Sequence, residues 1–97
     1  MKVVKLSHPN YEYDVHSLVK AFYAEDQVTV ITPETKPEKL AELEPQVSLE
    51  IELAETGAKI RVGEEDFLWD AEMETIADGY KNGLKRFLYR TLSKVTG

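Results

Sequence analysis

The C-terminal part of the chain carries its longest periodic pattern. From residue 69 to residue 95, apolar side chains recur at steps of three, four and one, which is the repeat of one α-helix face. Acidic residues fill the start of this stretch and basic residues fill its end, as the helix dipole favours. The pattern predicts one helix over 69–95, about 40 Å long at about 1.5 Å per residue. Gly97 is expected to end it.

Two glycines lie inside this predicted helix, Gly79 and Gly83, and each costs about 1 kcal/mol relative to alanine in a helix interior. Since they are four residues apart, they share one face, where another backbone could approach closely. The alternative is a kink that divides the stretch into two shorter helices.

Shorter segments predict four strands. Residues 47–53 alternate strictly between apolar and polar side chains, and residues 59–62 are expected to return beside them after a turn in which Gly57 supplies a positive φ. The other two strands are predicted at residues 2–7 and 28–32. The polar face of the hairpin would pair charges across its strands and is expected to be ordinary surface rather than a ligand site; it holds Ser48, Glu50, Glu52, Lys59 and Arg61.

Residues 11–23 carry a clean apolar stripe at helical spacing, with Asn10 as the candidate N-cap, and predict the first helix. Residues 33–46 are rich in Pro and Glu and predict an exposed loop, within which 37–43 could form one or two helical turns docked by Leu40 and Leu43.

The element order is therefore β-α-β-β-β-α. It predicts a single α+β domain over 1–97, a two-layer sandwich in which two helices cover one face of a four-stranded, mostly antiparallel sheet. The first β-α-β unit could be parallel and right-handed, which would make the sheet mixed.

Composition narrows the functional classes. The net charge of −6 and the pI of about 4.9 argue against nucleic-acid binding, which needs clustered cations. The chain has no cysteine, and no apolar run approaches the length of a membrane span, about 18 residues. We therefore expect a soluble, cytoplasmic domain that binds neither nucleic acid nor membrane. No residue is predicted to be catalytic or to bind a cofactor.

The polar residues that could form a site are expected to have ordinary structural roles instead. His8 and His16 are the only imidazoles, and a metal site would need more ligands than they supply, so we expect two surface histidines and no metal. The acidic run at Glu64, Glu65 and Asp66 is expected to be a solvated turn, with Asp66 as a possible N-cap of the last helix.

The last helix suggests an interface. A strand of six residues covers only about 20 Å, so the C-terminal apolar residues should overhang the sheet and lack a partner within the chain. All 18 acidic residues precede Gly79, so basic residues surround this end, although dipole complementation explains the same asymmetry. The stripe could instead fold back onto the sheet; otherwise the candidate interface, which could also form a homodimer, is Leu84, Phe87, Leu88, Arg90, Leu92 and Val95.

Two stretches carry a family resemblance: YEYDVHSLVKAFY at 11–23 and KNGLKRFLYRTLSKVTG at 81–97. Together they resemble the N-terminal region of oxygen-independent coproporphyrinogen III oxidase-like proteins, the coproporphyrinogen dehydrogenases of the radical S-adenosylmethionine (SAM) class. The resemblance implies a downstream catalytic barrel, whose three cysteines hold a [4Fe–4S] cluster that cleaves SAM for the oxidative decarboxylation of porphyrinogen propionates in haem biosynthesis.

Because this chain has no cysteine, the resemblance implies a non-catalytic accessory domain that packs on the barrel, without cofactors of its own. Two alternatives stay open: a free-standing acidic α+β adaptor that binds a protein partner, and a small enzyme with an unrecognised site. A downstream CxxxCxxC motif would distinguish the first interpretation from the second.

Overall fold

A computed structural model describes residues 1–24, 27–71 and 79–96. In these ranges the chain forms an α+β fold with a five-stranded mixed sheet and three α-helices. A short 3₁₀-helix, Glu44–Gln46, follows the second α-helix. The elements in chain order are β1 (Lys2–Leu6), α1 (Glu12–Tyr23), β2 (Val28–Ile31), α2 (Pro37–Leu43), β3 (Val47–Ala54), β4 (Gly57–Val62), β5 (Glu65–Asp70) and α3 (Gly79–Thr96).

The strand order in the sheet is β2-β1-β3-β4-β5. β1 lies parallel to both β2 and β3, whereas β3, β4 and β5 are successively antiparallel. The α+β class and the parallel first unit are confirmed; the sheet has five strands rather than the predicted four, and two of its four pairings are parallel, so it is mixed rather than mostly antiparallel. A long crossover is what allows a parallel pairing, and the segment after β2 provides one that carries the chain past β1 to β3.

The fifth strand replaces the start of the predicted long helix. β5 follows β4 through a tight turn at Gly63, whose φ of 62° is the left-handed conformation that glycine adopts readily. Phe67 and Trp69 lie on its buried side and Leu68 on its exposed side, which is the two-residue period of a strand. Met73, Ile76 and Gly97 of the predicted helix lie outside the described residues.

One face of the sheet is covered by α1 and α3, as predicted. Val15 and Val19 of α1 and the leucines of α3 are fully or almost fully buried in a core shared with the sheet. The strands supply this core mainly through Val4, Leu6, Val28, Leu49, Ile51, Ile60 and Trp69.

The opposite face of the sheet is not entirely exposed to solvent. The predicted helix at Pro37–Leu43 is confirmed, and Leu43 is buried on Val3 and Ile31, with Leu40 packed beside them. A shift in register between β1 and β3 brings Val47 to the same cluster. Residues 33–46 are mostly exposed, but the two leucines dock the segment as predicted, so the expectation of one uncovered sheet face is wrong at this end of the sheet.

The glycines have other roles than those expected. Gly57 lies within β4 and has no positive φ; an added Cβ would clash with the backbone carbonyl of Trp69 on the neighbouring strand. Gly83 is buried, and an added Cβ would lie 2.6 Å from Cζ2 of Trp69. Close packing is thus the correct interpretation at Gly83, although the neighbour is a side chain rather than a backbone. Gly79 is the first residue of α3, with a φ of 87°.

The start of α1 also differs from the prediction. Tyr11, not Asn10, is the N-cap, and its side chain does not cap the helix. Its φ of 65° and ψ of 16° are left-handed, which is rare for a bulky aromatic residue. The backbone N–H of Asn10 instead donates to Nδ1 of His8 at 3.2 Å.

Candidate protein interface

The structure buries four of the six predicted interface residues. Leu84, Leu88 and Leu92 are at most 1% exposed and Phe87 is 4% exposed, all in the core between α3 and the sheet. The expectation that they lack a partner within the chain is wrong. The described helix has 18 residues, about 27 Å at 1.5 Å per residue, and Val95 in its last turn still packs against the core.

The other two predicted interface residues differ in burial. Val95 is half-buried against the core, whereas Arg90 is exposed. Arg90 belongs to a row of exposed side chains that we name the outer strip of α3, comprising Arg86, Tyr89, Arg90 and Ser93. Tyr89 is 60% exposed. Its ring also meets Phe22 of α1 edge-on, with 5.2 Å between the ring centroids, which anchors one side of the strip.

Ion pairs fix α3 against α1. The carboxylate of Asp14 lies 3.1 Å from Nζ of Lys85 and 3.6 Å from Nζ of Lys81, and the Asp14 side chain is only 17% exposed. Tyr11 and Tyr80 add an aromatic contact with centroids 5.9 Å apart. Part of the basic end of the chain therefore serves the helix layer itself.

The outer strip has the chemistry of a protein-binding surface. Tyrosine and arginine are enriched at interfaces and supply much of their binding energy. Here they project from a helix whose opposite side is anchored by buried leucines, so the core fixes the backbone that carries them.

The polar face of the β3–β4 hairpin is internally paired. Glu52 lies opposite Lys59 and pairs with it at 3.3 Å, as predicted. Arg61 lies opposite Glu50, but its guanidinium binds Asp66 of β5 through two bonds of 2.7 and 3.1 Å. This contact raises the pKa of Arg61 and lowers that of Asp66, because each bond favours the charged form. Asp66 is thus a strand residue and not a helix cap.

Lys5 continues this pairing at the edge of α2. Its Nζ lies 3.0 Å from the carboxylate of Glu44, and this hydrogen bond raises the pKa of Lys5. The polar face of the sheet therefore carries pairs of opposite charge on both sides of β3. That it binds no ligand stays a prediction.

The histidines are engaged locally and separately. Besides the contact of His8 with Asn10, Nε2 of His16 lies 2.9 Å from the carbonyl oxygen of Val28 at the edge of the sheet. Glu64 and Glu65 are exposed. Within residues 1–24, 27–71 and 79–96, no group of three His, Asp or Glu side chains is placed to hold a metal ion. In the same ranges, none of the helices has both the length and the apolar character needed to cross a bilayer.

Comparisons with known proteins add no neighbour: no protein-family model, curated protein or solved structure matches the chain. The [4Fe–4S] cluster that the resemblance implies would need thiolate ligands. This chain has no cysteine, so its residues do not fit that group, and we assign no chemical step to it here.

Proposed function

We propose that the chain is a non-catalytic accessory domain of an oxygen-independent coproporphyrinogen III oxidase-like radical SAM protein, and that it packs on the catalytic barrel. One observation carries this proposal. The two stretches with the family resemblance, 11–23 and 81–97, contain α1 and α3, which pack side by side as one helical layer. Residues far apart in sequence therefore resemble the family at positions that are joined in space.

Both stretches include buried and exposed positions. Val15 and Val19 in the first and Leu88 in the second anchor the layer on the sheet. Arg86, Tyr89 and Arg90 of the second stretch form most of the outer strip. A domain that serves only to dock would need both: a core that fixes the layer and a surface that meets the partner.

In this proposal the outer strip of α3 contacts the barrel, and the cluster, SAM and porphyrinogen are bound by the partner's own residues. The domain contributes position and binding energy, with Tyr89 and Arg90 as the main anchors. The second candidate, a free-standing adaptor, would use the same strip for a different protein.

The test combines the purified chain with a separately produced radical SAM barrel of such a protein, lacking its own N-terminal region. Calorimetry should show a 1:1 complex with a Kd of about 10 μM, near −7 kcal/mol. Tyr89→Ala and Arg90→Glu should each weaken it at least about tenfold. Leu68→Ala is the control, because Leu68 is 77% exposed on the opposite side of the sheet.

Absence of a complex at 100 μM barrel, about ten times the expected Kd, would contradict the proposal. Reading the gene past codon 97 gives an independent answer. A continuation into a CxxxCxxC motif supports the accessory domain, and a stop codon there favours the adaptor.

A further inference from the structure

A crevice of about 440 Å³ lies where the C-terminal ends of β1 and β3 meet. Its walls come from the β1–α1 connection, the end of β3 and the start of α3, mainly through His8, Asn10, Tyr11, Leu53, Glu55 and Tyr80. None of these residues belongs to the outer strip of α3, so the crevice is independent of the docking proposed above.

The chain topology explains why a gap exists here. After β1 the chain turns toward β2 on one side, and after β3 it turns toward β4 on the other. The chain therefore leaves the ends of these two parallel strands in opposite directions. The helices that follow β1 and β2 also lie on opposite faces, since α1 packs on Val4 while α2 packs on Val3. In open sheets with parallel strands, such switch points are where ligands bind.

The loop that enters the crevice is pinned to β3. The N–H of Ser7 donates to the carbonyl oxygen of Ile51 at 3.0 Å, and the hydroxyl of Ser7 accepts from the N–H of Leu53 at 2.8 Å. These bonds join the residue after β1 to β3, and Leu53 of β3 lines the crevice.

Tyr11 forms one wall in a strained conformation. A left-handed backbone in a residue other than glycine costs about 1–3 kcal/mol, and such strain is concentrated at binding and catalytic sites. The strained turn places the Tyr11 ring beside Tyr80. Tyr80 is itself held by a hydrogen bond of 2.8 Å from its hydroxyl to the carbonyl oxygen of Gly57. The two rings thus form a fixed aromatic wall.

The lining selects a ligand class. Aromatic rings and Leu53 favour a flat apolar body, while His8 and Asn10 can bond a polar edge. Glu55 in the lining and Glu12 in the first turn of α1 repel phosphate at the helix start, where it would otherwise bind. We propose that this crevice binds an uncharged, planar aromatic small molecule, with one face on the Tyr11 ring.

Riboflavin is a suitable probe, because its ring system is planar and its fluorescence changes on stacking. Flavin mononucleotide carries the same ring with a phosphate and is the matched ligand. We expect saturable 1:1 quenching by the wild-type chain with riboflavin, and affinity at least about threefold lower for flavin mononucleotide, about 0.6 kcal/mol.

Tyr11→Gly removes the ring but keeps the turn, since glycine adopts this φ without strain. It should weaken riboflavin binding at least about tenfold, because one aromatic stacking contact is worth about 1–3 kcal/mol. Tyr13→Ala is the matched control: Tyr13 is 82% exposed and does not line the crevice. Circular dichroism melts of both variants check that the fold is kept.

Three results would overturn the proposal. The first is no saturable quenching up to about 200 μM riboflavin, which corresponds to a binding free energy weaker than about −5 kcal/mol. The others are unchanged binding by a folded Tyr11→Gly variant and tighter binding of flavin mononucleotide than of riboflavin. None of them bears on the barrel-binding assay, so this inference and the proposed function fail separately.

Discussion

The contact between Gly83 and Trp69 allows the packing of α3 on β5 to be tested with one methyl group. In most helices, replacing an interior glycine by alanine is stabilising by about 1 kcal/mol. Here the added Cβ would lie 2.6 Å from Cζ2 and 3.0 Å from Cη2 of the indole. Carbon atoms do not approach so closely, so the ring or the helix must move.

The ring has little room to move. Trp69 is 5% exposed and packs on Tyr80 and Phe87, with centroid distances of 5.2 and 6.0 Å. Overpacking a close-packed core costs about 1–3 kcal/mol. After the gain of about 1 kcal/mol in helix propensity is subtracted, we expect Gly83→Ala to be destabilising by up to about 2 kcal/mol, a loss of up to about 16 °C in Tm for a domain of this size.

The double variant identifies the cause. Phenylalanine lacks the second ring whose atoms meet the new methyl group. Trp69→Phe also removes a buried indole N–H that has no hydrogen-bond partner among the described residues. In the Trp69→Phe background, Gly83→Ala should be neutral or stabilising, so urea unfolding of the four chains should give a coupling energy of about 1–3 kcal/mol.

A stabilising Gly83→Ala in the wild-type background would refute this packing. So would a loss of stability that is the same with Trp69 and with Phe at that position, because the clash with the indole would then not be its cause.

Three further predictions concern the core, the polar face and high pH. Leu88→Glu and Leu92→Glu should leave the chain monomeric in solution scattering but cost at least about 3 kcal/mol in urea unfolding, because each buries a charge without a partner. Glu50→Ala should change the free energy of unfolding in urea by less than about 1 kcal/mol, since exposed charges contribute little. Burial raises the pKa of Tyr23 and Tyr80 above 10.0. Because the fold favours their neutral forms, the contribution of these two tyrosines to stability should be constant below pH 10 and fall as the pH rises through the raised values. A urea midpoint unchanged from pH 9 up to pH 11.5, about 1.5 units above the ordinary value, would contradict this.

Several elements were predictable because their local pattern and their tertiary role agree. α1 and β3 each carry a clean period, and α2 has proline in its first turn with two leucines on one side. In all three the residues that the pattern marks as apolar are the ones the structure buries or half-buries.

β5 was missed because its sequence fits two periods. Phe67 and Trp69 alternate as in a strand, but Trp69 also continues the helical spacing toward Tyr80 and Leu84. Periodicity alone does not separate these cases over six residues. The segment forms a strand because it pairs with β4. That pairing depends on the turn at Gly63 and on the lack of a side chain at Gly57.

Neither the conformation of Tyr11 nor the crevice beside it has a signal in the sequence. Glycine and asparagine are the residues that indicate a left-handed turn, and Asn10 stands next to the position that adopts it. The crevice also depends on strand order, because it exists only where β1 and β3 are neighbours. Strand order follows from long-range pairing, which a local pattern does not contain.

The burial of the α3 leucines changes what a partner can contribute. An overhanging apolar stripe would have made the fold depend on a second copy or a barrel, whereas a stripe buried within the chain leaves α3 its exposed side chains, the outer strip among them, for association. The Tm of the isolated chain should then be independent of its concentration. Stabilisation by an obligate dimer would instead rise by about 2.7 kcal/mol per dimer for a hundredfold increase in concentration, or several degrees in a domain of this size. Calorimetric melts at 10 μM and 1 mM, the hundredfold range of that calculation, distinguish the two, and a Tm that rises by several degrees would mean that α3 holds an interface after all.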